Sequence, residues 1–306
     1  MNRKVKDYIV IGLKGMAMGA ADVVPGVSGG TIAFISGIYE ELLGSISNVN
    51  LGLFKTLKNE GFKIAWKQLN GNFLLSLFIG IFISILSLAK AIKYLLENEP
   101  ILLWSFFFGL VLASIIYIAK QISKWNFISI IILVLGAFLA YYITTLNPLV
   151  SESSSSFYIF FAGAIAICAM ILPGISGSFI LVLLGAYKPV LGALNDKDFK
   201  TIFTFIAGAV IGLLSFSKVL KWLFANYKNY TLAALTGFIM GSLNKIWPWK
   251  ETLTWRVNSH GVKVPFNQQS VTPFSFDGDA ELSIAIVLAI VGFLLILLIE
   301  KLAVKR

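Results

Sequence analysis

The chain has 306 residues, 58% of them hydrophobic and 13% charged, with a mean hydropathy of +0.85. Soluble domains carry about a quarter charged residues, so this composition excludes an ordinary soluble fold, and the lone Cys168 excludes an intrachain disulfide. The formal charge of +10 sits on residues that flank apolar runs. It reads as topology signals and contact with anionic membrane lipid, with no nucleic-acid partner implied.

The first segment, "MNRKVKDYIVIGLKGMAMGAAD", has the outline of a signal peptide. Cleavage is not expected, because the segment runs straight into a motif and has a mid-chain counterpart at 157–172. That motif, "VVPGVSGGTIAF" at 23–34, breaks an apolar stretch with Pro25, Gly26, Gly29 and Gly30. Apolar runs long enough to cross a bilayer follow at 73–89, 101–119 and 127–146. A polar linker, "NPLVSESSSS" at 147–156, precedes a second broken motif, "ILPGISGSFILV" at 171–182, with Pro173 and Gly174. Further apolar runs lie at 201–217, 230–247 and 282–299. The polar stretch 248–281 alternates enough at "LTWRV" and "VTPFSF" to predict a small β-hairpin.

The chain repeats itself. An offset of 148 sets Gly15, Pro25, Ser28, Gly37, Tyr39 and Gly44 against Gly163, Pro173, Ser176, Gly185, Tyr187 and Gly192. An offset of 128 sets Gly80, Lys90, Lys93 and Gly109 against Gly208, Lys218, Lys221 and Gly237. The expected fold is therefore an all-α polytopic membrane protein of two inverted-topology repeats. Residues 1–146 hold a re-entrant hairpin (8–46) and helices 73–96, 100–120 and 127–146. Residues 157–306 hold a hairpin (157–192) and helices 201–224, 230–247 and 282–300, with an outside loop at 248–281. One hairpin plus three spans is an odd number of crossings, which turns the second half upside down. Lysine and arginine at 1–7, 47–72, 120–126, 218–229 and 301–306 place both termini in the cytoplasm.

Irregular backbone survives in a bilayer only inside protein or beside a water-filled cavity. Paired broken helices in inverted repeats point to a transporter's binding site. Each motif presents a helix start with free N–H groups, a positive dipole end and a hydroxyl, which suits an anion. The expected phosphate-binding residues are Ser28, Gly29, Gly30, Thr31, Ser176, Gly177 and Ser178, and the breaks are Pro25, Gly26, Pro173 and Gly174. Lys14, Met18 and Asp22 share one face of the entering arm. Asp22, opposite the apolar Met170, suits proton or sodium coupling. Lys14 and Glu40 are candidates for charge support, with interfacial positions as the bland alternative. No organic cofactor or metal is implied.

The stretches "GMAMGAADVVPGVSGGTIAFISGIYEEL" and "ILPGISGSFILVLLGAY" resemble the signature of the bacterial PopT-type polyprenyl-phosphate transporters. The resemblance covers nearly the whole chain. It implies translocation of undecaprenyl phosphate across the bacterial cytoplasmic membrane, returning the lipid carrier to the inner leaflet for cell-wall and envelope-glycan synthesis. DedA-type transporters share the idea of inverted re-entrant hairpins but not these motifs. The Phe-rich "WSFFFGL" at 104–110 reads as a lipid-facing surface, with the border of a tail slot as the other reading. A homo-oligomer is compatible with the sequence. A membrane phosphatase needs a His nucleophile and Arg clamps. The single histidine, His260, and the three arginines, Arg3, Arg256 and Arg306, lie outside the spans, so no enzyme is expected. The rival readings are a channel and a secondary transporter for a small soluble anion or solute.

Overall fold

The computed structural model describes residues 3–24, 27–146, 155–257 and 263–304. Pro25, Gly26, His260 and most of the linker at 147–156 lie outside the described residues.

The first half opens with α1 (Val5–Val23), then α2 (Gly29–Ile35) and α3 (Tyr39–Ser47). Two short helices, α4 (Leu51–Glu60) and α5 (Phe62–Leu69), occupy the polar stretch that the second half lacks. Three long helices follow: α6 (Gly71–Asn98), α7 (Pro100–Lys120) and α8 (Phe127–Thr145). The second half runs α9 (Ser156–Ile171), α10 (Gly177–Leu183), α11 (Tyr187–Asn195), α12 (Phe199–Asn226), α13 (Lys228–Ser242) and α14 (Leu282–Val304). Among the described residues, four helices, α6, α7, α8 and α12, are long and apolar enough to cross a membrane.

The returning arm of each hairpin is itself broken, which the sequence reading treated as continuous. Gly37 (φ +73°) separates α2 from α3, and Gly185 (φ +70°) separates α10 from α11. Glycine alone adopts that backbone without strain. The second pair bends by 105° at its break. At seven residues, α2 and α10 are each about 10 Å long, far short of a bilayer.

The helices pack by backbone approach at glycine, as membrane helices do where small residues line the contact. A Cβ on Gly15 would run into the Leu77 carbonyl oxygen, and one on Gly163 into that of Phe205. Gly80 meets the Gly12 carbonyl, as Gly208 meets that of Phe160. These equivalent pairs join α1 to α6 and α9 to α12. The third helix of each half packs on the second helix of the other half: α14 on α7, and α8 on α13. There Gly109 and Gly292 abut Ala289 and Phe106, while Gly237 and Gly136 abut Leu133 and Ala234. An offset of 156 thus relates α8 to α14, a match that the side chains alone hide.

Three details differ from the sequence reading. The helix expected over 230–247 stops at Ser242 and continues as a 3-10 turn, Leu243–Ile246. In the following loop, β1 (Lys250–Val257) pairs antiparallel with β2 (Lys263–Ser270). The second strand thus precedes "VTPFSF". That segment instead pins the loop to the bundle: Trp247 Nε1 donates to the Val271 carbonyl (2.8 Å) and Phe276 packs with Trp249. The 104–110 stretch is half-buried or buried, with Phe108 edge-on to Trp247, so it is not the open lipid-facing surface expected.

Candidate functional site: the junction of the two hairpin tips

α1 and α2 form an antiparallel hairpin in which α1 supplies a charge to each end of α2. At the start of α2, Asp22 Oδ1 accepts a hydrogen bond from the Gly29 amide (2.7 Å). At its end, Lys14 Nζ donates to the Ser36 carbonyl. Residues i and i+8 lie about 12 Å apart along a helix, close to the length of α2. An anion at a helix start and a cation at its end each stabilise it by about 0.3–2 kcal/mol. The Asp22–Lys14 spacing therefore has a structural role, with Asp22 capping α2 at the turn and Lys14 binding its far end.

Ser28 caps α2. Its Oγ accepts from the Gly30 amide (3.1 Å) and donates to the Met170 carbonyl of the second half (3.1 Å). The first two amides of α2 are thus engaged by Asp22 and Ser28 within the protein, where the sequence suggested free donors. Ser176 caps α10, accepting from the Phe179 amide (3.2 Å), and lies 3.3 Å from the exposed Ser178 hydroxyl.

The two tips are bonded directly. The buried Thr31 Oγ1 accepts from the Gly174 amide (3.0 Å), and Tyr39 donates its hydroxyl to the Ile171 carbonyl (3.1 Å). A Cβ at Gly30 would fall 2.6 Å from the Ile171 carbonyl oxygen, so only glycine permits this approach. Gly174 (φ +94°) has no such room either, because Ser242 Oγ would lie 2.6 Å from its Cβ. Phe34, Tyr39 and Phe224 stack around the junction with centroids 4.9–6.2 Å apart. Beside the second tip, a cavity of about 380 Å³ is walled by Leu172, Ile132, Phe216, Leu220 and Phe238.

The structure thus brings Ser28, Gly29, Gly30, Thr31 and Asp22 of the first half to Pro173, Gly174 and the α9–α10 turn of the second, whereas Lys14 lies at the far end of α2 on the Ser36 carbonyl. Gly177 is buried against the Ala166 carbonyl. Glu40 lies apart, on the outer face of α3, in an ion pair with Lys228 (2.7 Å). Tyr39 was missed as a site residue; its repeat with Tyr187 marked the position but not the bond. Among the described residues no cluster of His, Cys, Asp and Glu has metal-site geometry.

Fold and junction define a polytopic membrane protein whose two broken hairpins, one per half, are joined tip to tip within the apolar bundle. The chain belongs to the VCA0040-like, undecaprenyl phosphate translocase-like family, whose profile matches residues 18–264. It is 50% identical over 309 residues to the polyprenyl-phosphate transporter of Vibrio cholerae serotype O1, across the full length of both chains. It is 33% identical over 253 residues to the polyprenyl-phosphate transporter of Staphylococcus aureus, covering 77% of this chain and 85% of that one. No solved structure gives a significant match.

Proposed function

We propose that this chain translocates undecaprenyl phosphate, or a closely similar polyprenyl phosphate, from the outer to the inner leaflet of a bacterial cytoplasmic membrane. The lipid carrier would return for cell-wall and envelope-glycan synthesis, without covalent chemistry on it. Both termini face the cytoplasm in this reading, and the two halves are inverted repeats. The phosphate binds where the tips meet, on Ser28, Gly29, Gly30, Thr31, Ser176, Gly177 and Ser178.

One observation carries the reading furthest: the apolar cavity is lined by Leu172, one residue before Pro173 of the second tip. A polyprenyl phosphate needs this adjacency, a polar junction for its headgroup beside an apolar slot for its tail. A small soluble anion has no use for the slot. Family membership supports the same substrate class.

Asp22 gives the binding step a competitor. Its carboxylate already holds the Gly29 amide, so an arriving phosphate must displace it. Protonating Asp22, or drawing it to a sodium ion, frees the amide. That exchange offers a route for proton or sodium coupling. The test is leaflet exchange in proteoliposomes with undecaprenyl phosphate in one leaflet, compared with undecaprenol and with a small anion. Phosphate-dependent lipid exchange above empty liposomes supports the proposal. Small-anion flux without lipid exchange would replace it with the channel or soluble-anion reading.

A further inference from the structure

Two lysines on the loop side of the second hairpin stand outside the site described above. Lys245 lies in the 3-10 turn that follows Ser242, the residue against which Gly174 packs. Its ammonium sits 4.5 Å from the ring centroid of Phe179, the residue after Ser178. Lys250, the first residue of β1, places its ammonium 4.8 Å from the ring centroid of Trp104 on α7 and donates to the Lys245 carbonyl. Neither has a carboxylate within ion-pair distance among the described residues.

Two neighbouring ammonium groups without an acid are costly when partly desolvated. Long cationic side chains near a membrane usually escape by snorkelling to water. These are held instead, because the loop that carries them is clamped. Trp249 Nε1 donates to the Ala280 carbonyl (2.9 Å), and Ser270 Oγ donates to Asn244 Oδ1 (2.8 Å). An ammonium has three donors, and the Lys245 carbonyl takes one from Lys250. The aromatic faces of Phe179 and Trp104 supply partial compensation. An anion that reaches both nitrogens would complete the compensation.

We propose that Lys245 and Lys250 form an anion-binding position beside Phe179, near the start of α10, that takes a phosphomonoester. A phosphomonoester matches the pair in charge: its dianion neutralises two ammonium groups, and its terminal oxygens reach separate donors, as point-charge lysines require. Burial, and next the charge of Lys245, pushes Lys250 down to about 7, and a bound dianion reverses that push. The position lies off the tip junction, next to the start of α10, so it acts as a first capture point. In its lipid form this inference rests on the reading of the chain as a polyprenyl-phosphate translocase.

The test measures binding of inorganic phosphate and of a short-chain polyprenyl phosphate to the purified full-length protein in detergent. The proteins are wild type, the doubly substituted Lys245→Met, Lys250→Met, and the doubly substituted Lys245→Arg, Lys250→Arg. Methionine keeps the apolar stem, and an unchanged elution profile reports folding. The proposal predicts at least tenfold weaker binding in the methionine protein and substantial recovery in the arginine protein. Lysine-dependent binding of both probes assigns the site to phosphomonoesters generally, and lysine-dependent binding of the lipid alone assigns it to the headgroup. Equal affinity in wild type and the methionine protein, or no binding of either probe to wild type, overturns it. The two readings fail separately. Lysine-dependent binding without leaflet exchange removes translocation and keeps this site, whereas normal exchange that ignores both lysines removes the site alone.

Discussion

Thr31 of the first hairpin and Gly174 of the second are joined by a 3.0 Å hydrogen bond, with the hydroxyl oxygen accepting the amide proton. They are 143 positions apart in sequence, and Thr31 is 1% exposed. A buried amide that loses its partner costs about 1–3 kcal/mol. Thr31→Val keeps the shape and removes the acceptor, so it should lower the unfolding midpoint in detergent and slow lipid exchange. Thr31→Ser should restore most of both.

The repeated glycines divide into two kinds. Gly15, Gly80, Gly163 and Gly208 stand against carbonyl oxygens of a neighbouring helix. Overpacking costs about 1–3 kcal/mol, so Gly15→Ala and Gly163→Ala should destabilise by similar amounts, the equality reporting equivalent packing. Gly44 and Gly192 repeat just as faithfully but face open space. Alanine there should be neutral or stabilise by up to about 1 kcal/mol. Thermal denaturation of the four single variants checks both halves of the prediction.

That contrast marks how much was legible in the sequence. The helical class, the two broken hairpins and their matched caps follow from Pro, Gly and Ser placed in apolar runs. The closeness of the tips does not, because Met170, Ile171 and Tyr39 act through backbone carbonyls and one hydroxyl that no periodicity marks. The second breaks were visible only as the matched repeat positions Gly37 and Gly185, since a positive φ leaves no signature beyond glycine itself. The equivalence of α8 and α14 was nearly invisible. It rests on Gly136 and Gly292, each set against a carbonyl oxygen of the partner helix, while the side chains around them differ between the two helices.

The closure is one-sided. α3 packs on α12, where Lys221 Nζ donates to Ser47 Oγ (3.0 Å), and Lys228 at the start of α13 pairs with Glu40. The equivalent pair, α11 with α6, has no comparable packing among the described residues. If the halves rock about a fixed midplane site, α3 must leave α12 during each cycle. Cysteines at Ser47 and Lys221 joined by a short bis-maleimide should abolish exchange, with the uncrosslinked pair near wild type. Full exchange after quantitative crosslinking would show that α3 does not move.

Two ionisable groups make stability rise with pH, in different pH ranges. Burial raises the Glu41 carboxyl, but its bonds to Arg3 and Asn70 outweigh burial and hold it below the usual range. Its stabilising contribution is present above the ordinary glutamate value, about 4.3, and is lost as the pH falls through the lower folded value. The stability gap between wild type and Glu41→Gln should therefore narrow on acidification.

Lys250 acts in the same direction at higher pH, by a penalty that fades instead of a bond that forms. Its folded value is about 7, against about 10.4 in an unfolded chain. Between these values the unfolded state binds more protons, so this group makes stability rise with pH. Lys250→Met should flatten that rise in melting curves recorded between pH 7 and 10 without added phosphate.

The central claim is that the lipid phosphate is held where the two capped tips meet. Its most direct measurement is undecaprenyl phosphate exchange between leaflets for the double variant Ser28→Ala, Ser176→Ala in proteoliposomes, at matched protein content and with the fold verified. The account predicts at least a tenfold loss of exchange, with each single variant intermediate. Exchange at the wild-type rate in the double variant would contradict it.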